Sequence, residues 1–108
     1  MTRKTLGITT VQVLHSVAAG TRYGFDIMDV TGLPSGTVYP ALSRLERQGL
    51  LRAKWEPHHI AQREKRPPRK YYQITPEGKL RLLAAAERIR AVERTLPRDA
   101  ASLEVAPT

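Results

Sequence analysis

The chain contains no cysteine, six aromatic residues, only 10 acids against 18 Lys and Arg, and no long apolar run. Without cysteine there are no disulfides, no thiolate metal ligands and no cysteine nucleophile. With so few aromatics (Tyr23, Phe25, Tyr39, Trp55, Tyr71 and Tyr72) the core must be aliphatic. The shortage of acids gives a formal charge of +8, which favours a polyanionic partner, nucleic acid or an acidic membrane surface. No window approaches the ~20 apolar residues that span a bilayer. Residues 1–20 imitate a secretory signal, but Thr9, Thr10, Gln12 and His15 interrupt its apolar stretch and suit a one-sided helix instead. The expectation is a soluble, cytoplasmic protein. At 108 residues there is room for one domain.

What is present reads as helices around a short hairpin, a mainly α fold. A first helix runs from about Thr10 to Ala19, with Val11, Leu14, Val17 and Ala18 as its apolar stripe. Leu6 and Ile8 extend it or pack as an arm. A second follows from Tyr23 to about Val30, and Thr31-Gly32-Leu33-Pro34 is a turn. A third starts near Ser35, whose hydroxyl is expected to cap it, and stops at Gln48-Gly49. Val38, Leu42 and Leu45 form its apolar side; Thr37, Pro40, Arg44, Arg47 and Gln48 lie opposite. Leu50–Trp55 and Lys70–Thr75 then read as two strands. Between them, Glu56–Arg69 carries three prolines and reads as a long basic loop, with Trp55 packed beneath it. Thr75-Pro76-Glu77 opens a last helix to about Leu96, with Leu83, Ala86, Ile89, Val92 and Leu96 as a stripe. The organisation expected is a DNA-binding unit over 1–75, a dimerisation helix over 76–96 and a disordered tail over 97–108.

The charge has a location. Nine basic residues and three acids lie between Arg44 and Lys70, a net of +6 out of +8. A charge run by itself is usually a solvated face. Here it joins a helix-turn-helix to a hairpin, an arrangement that can enter a major groove and grip phosphates beside it. The residues that fit DNA contact are Ser35, Thr37, Tyr39, Pro40, Arg44 and Arg47 on the helix, with Arg63, Lys65, Arg66 and Arg69 on the loop. The last helix is longer than a small core needs, so its stripe, with Val11 and Leu14 of the first helix, points to a second copy of the chain. No catalytic or metal site is expected. His58-His59 lacks companion ligands, Gly78-Lys79 lacks the residues of a phosphate loop, and His15-Ser16 lacks an orienting acid.

Tyr23-Gly24-Phe25-Asp26-Ile27, Gly36-Thr37-Val38-Tyr39-Pro40-Ala41-Leu42, Leu45-Glu46-Arg47-Gln48-Gly49-Leu50 and Arg69-Lys70-Tyr71-Tyr72-Gln73-Ile74-Thr75-Pro76-Glu77-Gly78 resemble the signature of PadR-type transcriptional regulators. The resemblance implies a winged helix-turn-helix and a cytoplasmic homodimer on a near-palindromic operator, usually as a repressor, in the short form with one C-terminal helix. It also implies that the C-terminal helix packs with the partner's N-terminal helix. Drug-binding members stack flat ligands on aromatics of the last helix, which has none here, so a small-molecule effector is left without an identity. No cofactor is expected. Two other readings stay open: a basic RNA-binding or DNA-architectural module without sequence selection, and a protein-interaction adaptor with a basic wing.

Overall fold

A computed structural model describes residues 5–104; the ends of the chain, including the last part of the expected tail, lie outside the described residues. Helices α1 (Ile8–Ala18), α2 (Gly24–Thr31) and α3 (Ser35–Arg47) are followed by strand β1 (Leu51–Trp55), helix α4 (His58–Arg63), strand β2 (Lys70–Ile74) and helix α5 (Pro76–Glu93). Within the tail, Ala100–Ser102 forms one 3-10 turn, its first residue preceded by Asp99, whose carboxylate accepts from the Ser102 amide.

The core forms where three apolar stripes meet. Val13 and Leu14 of α1, Ile27 of α2, and Val38, Ala41, Leu42 and Leu45 of α3 are completely buried, and Leu50, Leu51 and Tyr72 close the hairpin side. Helix α3 stops as its sequence dictates. Gly49 takes a positive φ of 74°, and the Leu50 amide reaches back to the Leu45 carbonyl at 2.9 Å. Its start differs from expectation: Ser35 is already helical, Pro34 occupies the cap position, and no side chain caps the helix. Pro40 is the sixth helical residue and cannot donate to the Gly36 carbonyl, yet α3 continues through it.

β1 and β2 pair antiparallel from Leu51↔Ile74 to Trp55↔Lys70. The chain just before α2 adds to the other edge of β2. Tyr23 bridges to Tyr71, and the Tyr72 amide donates to the Arg22 carbonyl at 2.9 Å. Two expectations about the hairpin are corrected. The segment between the strands is not all loop, because His58–Arg63 closes one and a half turns of helix that bury Ala61. Trp55 does not pack beneath it: the side chain sits past the last core residue of β1 and is 66% exposed.

α5 begins at a tight joint. Thr75 accepts from the Gly78 amide at 3.0 Å and donates to the Gly49 carbonyl at 2.7 Å. Gly78 lies so close to β1 that a Cβ there would stand 2.1 Å from the Leu50 carbonyl oxygen. Beyond the joint, Ala85 is buried and Leu82 and Ile89 lean on the core, while Leu80, Leu83 and Val92 stay exposed. Arg88 holds the N-terminal arm by donating to the Leu6 carbonyl at 2.6 Å, and Leu6 itself is buried. The helix ends three residues before Leu96, where the Thr95 hydroxyl bonds back to the Val92 carbonyl and the chain tightens. The radius of gyration is 18.0 Å, against ~13 Å for a compact domain of this size, as a helix projecting from the core requires.

Candidate nucleic-acid interface

Because α3 buries its whole apolar side, its other side is presented on a rigid support. Ser35, Tyr39, Pro40, Ser43, Arg44, Arg47 and Gln48 are exposed and Thr37 is half-buried. The Ser35 and Gly36 amides head the helix with no capping side chain, so its positive end is open to an anion. Tyr39 leans on Gly24: a Cβ at that glycine would fall within 2.5 Å of the Tyr39 ring, so only a bare backbone lets the ring lie there. Tyr39 thus stays about half exposed while its ring and hydroxyl lie against the start of α2. Arg44 donates from one arm of its guanidinium to the Thr10 hydroxyl of α1, at 3.1 Å, and remains exposed.

The hairpin is tied to this helix. Lys70 at the start of β2 reaches Glu46 of α3 at 3.3 Å and stands 5.8 Å from the Tyr72 ring centroid. Burial pushes the Tyr72 phenol above its usual range.

Glu56 changes the reading of the basic loop. Its carboxylate is buried at the root of α4, where Arg66 donates to both of its oxygens and Arg69 approaches to 3.6 Å. The Arg66 hydrogen bond is the main reason the Glu56 carboxyl falls from the ordinary 4.5 to about 2, and the two guanidinium charges add to it against the effect of burial. The same bond raises Arg66. The Arg69 guanidinium lies 4.0 Å from the Tyr23 ring centroid, and Tyr23 meets Tyr71 edge-on at 6.3 Å.

Among the ten residues expected to contact DNA, Ser35, Thr37, Tyr39, Pro40, Arg44 and Arg47 therefore share α3, and Arg63 and Lys65 are exposed at the end of α4. Arg66 and Arg69 are instead ion-paired with Glu56, with Arg69 still about half exposed. Glu56, Tyr23 and Gly24 are the residues the sequence reading missed. Of the nine bases from Arg44 to Lys70, six (Arg44, Arg47, Arg52, Lys54, Arg63 and Lys65) have no acidic partner among the described residues.

The residues expected to meet a second chain divide. Leu14 is 0% exposed and belongs to the subunit's own core, so it has no surface to offer, and Val11 is nearly as buried. Leu83, Val92 and Leu96 are more than half exposed. With Ile8, Gln12 and His15 of α1, the side chains of Leu82, Leu83, Ala86, Ile89, Arg90 and Glu93 border an open groove of about 600 Å³. Among the described residues no group of His, Cys, Asp and Glu is placed to hold a metal, and no helix is long and apolar enough to cross a membrane.

Three helices, a hairpin braced against the third, and a helix leaving its base define a winged helix-turn-helix. The model of the transcriptional regulator PadR-like family matches residues 13–84, and the chain belongs to that family. Solved structures share the fold. A PadR family transcription regulator from hypervirulent Clostridium difficile is 24% identical, with a TM-score of 0.69 over 82% of this chain and 93% of that one. A PadR-like regulator from Bacillus cereus is 23% identical, with a TM-score of 0.66 over 82% and 87%. The PcaV transcriptional regulator from Streptomyces coelicolor, solved with its natural ligand, is 21% identical, with a TM-score of 0.73 over 94% and 71%. No curated protein matches the chain. The protein is a transcriptional regulator of the PadR-like family, and that class supports DNA binding rather than catalysis.

Proposed function

We propose that the chain is a cytoplasmic, sequence-reading repressor that binds a near-palindromic operator as a homodimer. One observation carries the DNA reading. α3 is anchored on one side by completely buried residues and offers Tyr39, Pro40, Arg44 and Arg47 on the other, with a charged hairpin tied alongside. Thr37, Arg44 and Arg47 are the residues to reach base edges or phosphates in the major groove; Ser35 and the bare first turn favour a phosphate. The wing would add backbone contacts without reading sequence.

The dimer is supported by the exposed stripe of α5. Leu83, Ala86, Ile89, Val92 and Leu96, beside Val11 at the edge of the groove, would pack with a second copy of α1 and α5. Two copies of α3 would then meet half-sites ~34–36 Å apart. The groove is also where a small effector of unidentified chemistry would act, and no aromatic residue of α5 is there to stack on it. The repressor reading rests on the family resemblance: a dimer seated on promoter DNA would block transcription by occupancy alone.

The test is footprinting on DNA upstream of the protein's own gene, followed by Arg44→Ala and Arg47→Ala. Each should weaken binding to the protected site by ~1–3 kcal/mol while barely changing binding to scrambled duplex. Equal loss on both DNAs would show that α3 does not read sequence.

A further inference from the structure

The wing is wider than a plain hairpin, and its middle is built rather than loose. α4 ends as longer helices do: the Lys65 amide donates to the Gln62 carbonyl and the Arg66 amide to the Ala61 carbonyl, both at 3.1 Å. In such an ending the reversing residue is normally glycine, because it needs a positive φ. Here it is Lys65, at φ 55°, the one positive-φ residue other than glycine among the described residues. A lysine in that conformation is strained, and strain of this kind persists only where the surroundings hold it.

The holder is visible. The residue directly after the reversal is Arg66, which turns back onto Glu56, two residues before α4 begins. The Glu56 amide also donates to the Arg69 carbonyl at 2.8 Å, closing the loop at its neck. The clasp engages Arg66, which is partly buried, and Arg69, which stays about half exposed; Arg63 and Lys65 are exposed and neither has an acidic partner among the described residues. Glu56 stays charged well below neutral pH, so both guanidinium groups face a carboxylate under ordinary conditions.

We infer that Glu56 is a positioning residue for DNA binding: by clasping Arg66 and Arg69 it holds α4 so that Arg63 and Lys65 form a paired phosphate contact. This rests on the DNA-binding reading above and adds a division of labour to it. Two of the wing's four loop cations build the support and two make the contact. An acid inside a basic wing would then strengthen binding by arranging its neighbours, although its own charge opposes the phosphates.

Because the contact is to phosphate, the probe is a 30-base-pair duplex of arbitrary sequence, bound to the full chain over a range of salt concentrations. Arg63→Ala with Lys65→Ala should lower the slope of log affinity against log salt by about 2, at ~0.9 per lost phosphate contact. Glu56→Gln should lower the slope by a similar amount, and added to the double variant it should lower it no further. The same Gln variant should keep its helicity at neutral pH while the fluorescence anisotropy of Trp55, the chain's single tryptophan, falls. Should Glu56→Gln unfold the chain, Arg66→Gln carries the same comparison and leaves Glu56 with Arg69. An unchanged slope in a folded Glu56→Gln protein overturns the inference. So does a steeper one, which would mean that the released arginines reach phosphate better than the held pair. A wild-type chain with no salt-dependent binding to any duplex overturns the DNA reading itself, a result separate from either.

Discussion

α3 and α5 are both helices with an apolar side, and they treat it in opposite ways. In α3 the apolar residues Val38, Ala41, Leu42 and Leu45 are wholly covered by the chain's own α1, α2 and hairpin. In α5 only Gly78 and Ala85 are buried, and Leu80 and Leu83 are 69% and 65% exposed. α3 is finished within one chain, so its polar side is free to act on something foreign. The apolar side of α5 is unfinished, and what it lacks is more apolar surface. On the proposed function, one helix reads DNA and the other meets a second copy of the chain.

That contrast can be attacked directly. The largest effect should come from Leu42→Ala, which leaves a hole under α3 and should lower unfolding stability by ~2–5 kcal/mol in denaturant melts. Leu83→Ala, the same chemistry on α5, should cost a single subunit well under 1 kcal/mol. If the two losses are equal, α5 is as complete as α3 and the contrast is wrong. Next in size, Leu83→Glu should leave the subunit folded but raise its dimer dissociation constant at least tenfold, read by sedimentation. An unaltered association state, or a wild-type chain that is monomeric at micromolar concentration, would remove the partner from α5.

Acid offers a subtler separation. The Glu56 carboxyl is lower in the folded protein than in the unfolded chain, so its contribution is complete above pH ~4.5 and fades as pH falls toward about 2. α3 buries no carboxylate of its own. Trp55 fluorescence should therefore report loosening of the wing in that window before helicity is lost. The smallest effect is a gain. Lys65→Gly relieves the positive φ and should add ~0.5–1 kcal/mol of stability while weakening duplex binding.

The sequence made the helices legible because their signals are local. Val38, Leu42 and Leu45 repeat at helical spacing, Gly49 marks a stop, and Thr75-Pro76 marks a start. Each of these is decided by residues within a turn or so of one another. The wing was opaque for the opposite reason. His58–Arg63 is too short to show a period and stands among prolines, so it looked like loop. Glu56 finds Arg66 and Arg69 across ten and thirteen residues, and nothing between them marks that pairing. Tyr23 joins the edge of β2 from 48 residues away. Leu14 shows a further limit: periodicity put it on an apolar side with Val11, but could not say that α2 and α3 would consume that side first. Charge counting located the basic surface yet could not separate the cations that face outward from those that hold the wing together.

The contact at Gly78 has a consequence for regulation in space. There the first turn of α5, the last carbonyls after α3 and the start of β1 press together with no room for a methyl group. Such a joint leaves the start of α5 little room to shift against the turn that follows α3. In a dimer, the angle at which two α5 helices cross would set the distance between the two reading heads, much as a hinge sets the opening of calipers. A ligand that altered that crossing would change which spacing of half-sites fits, without touching a residue of α3.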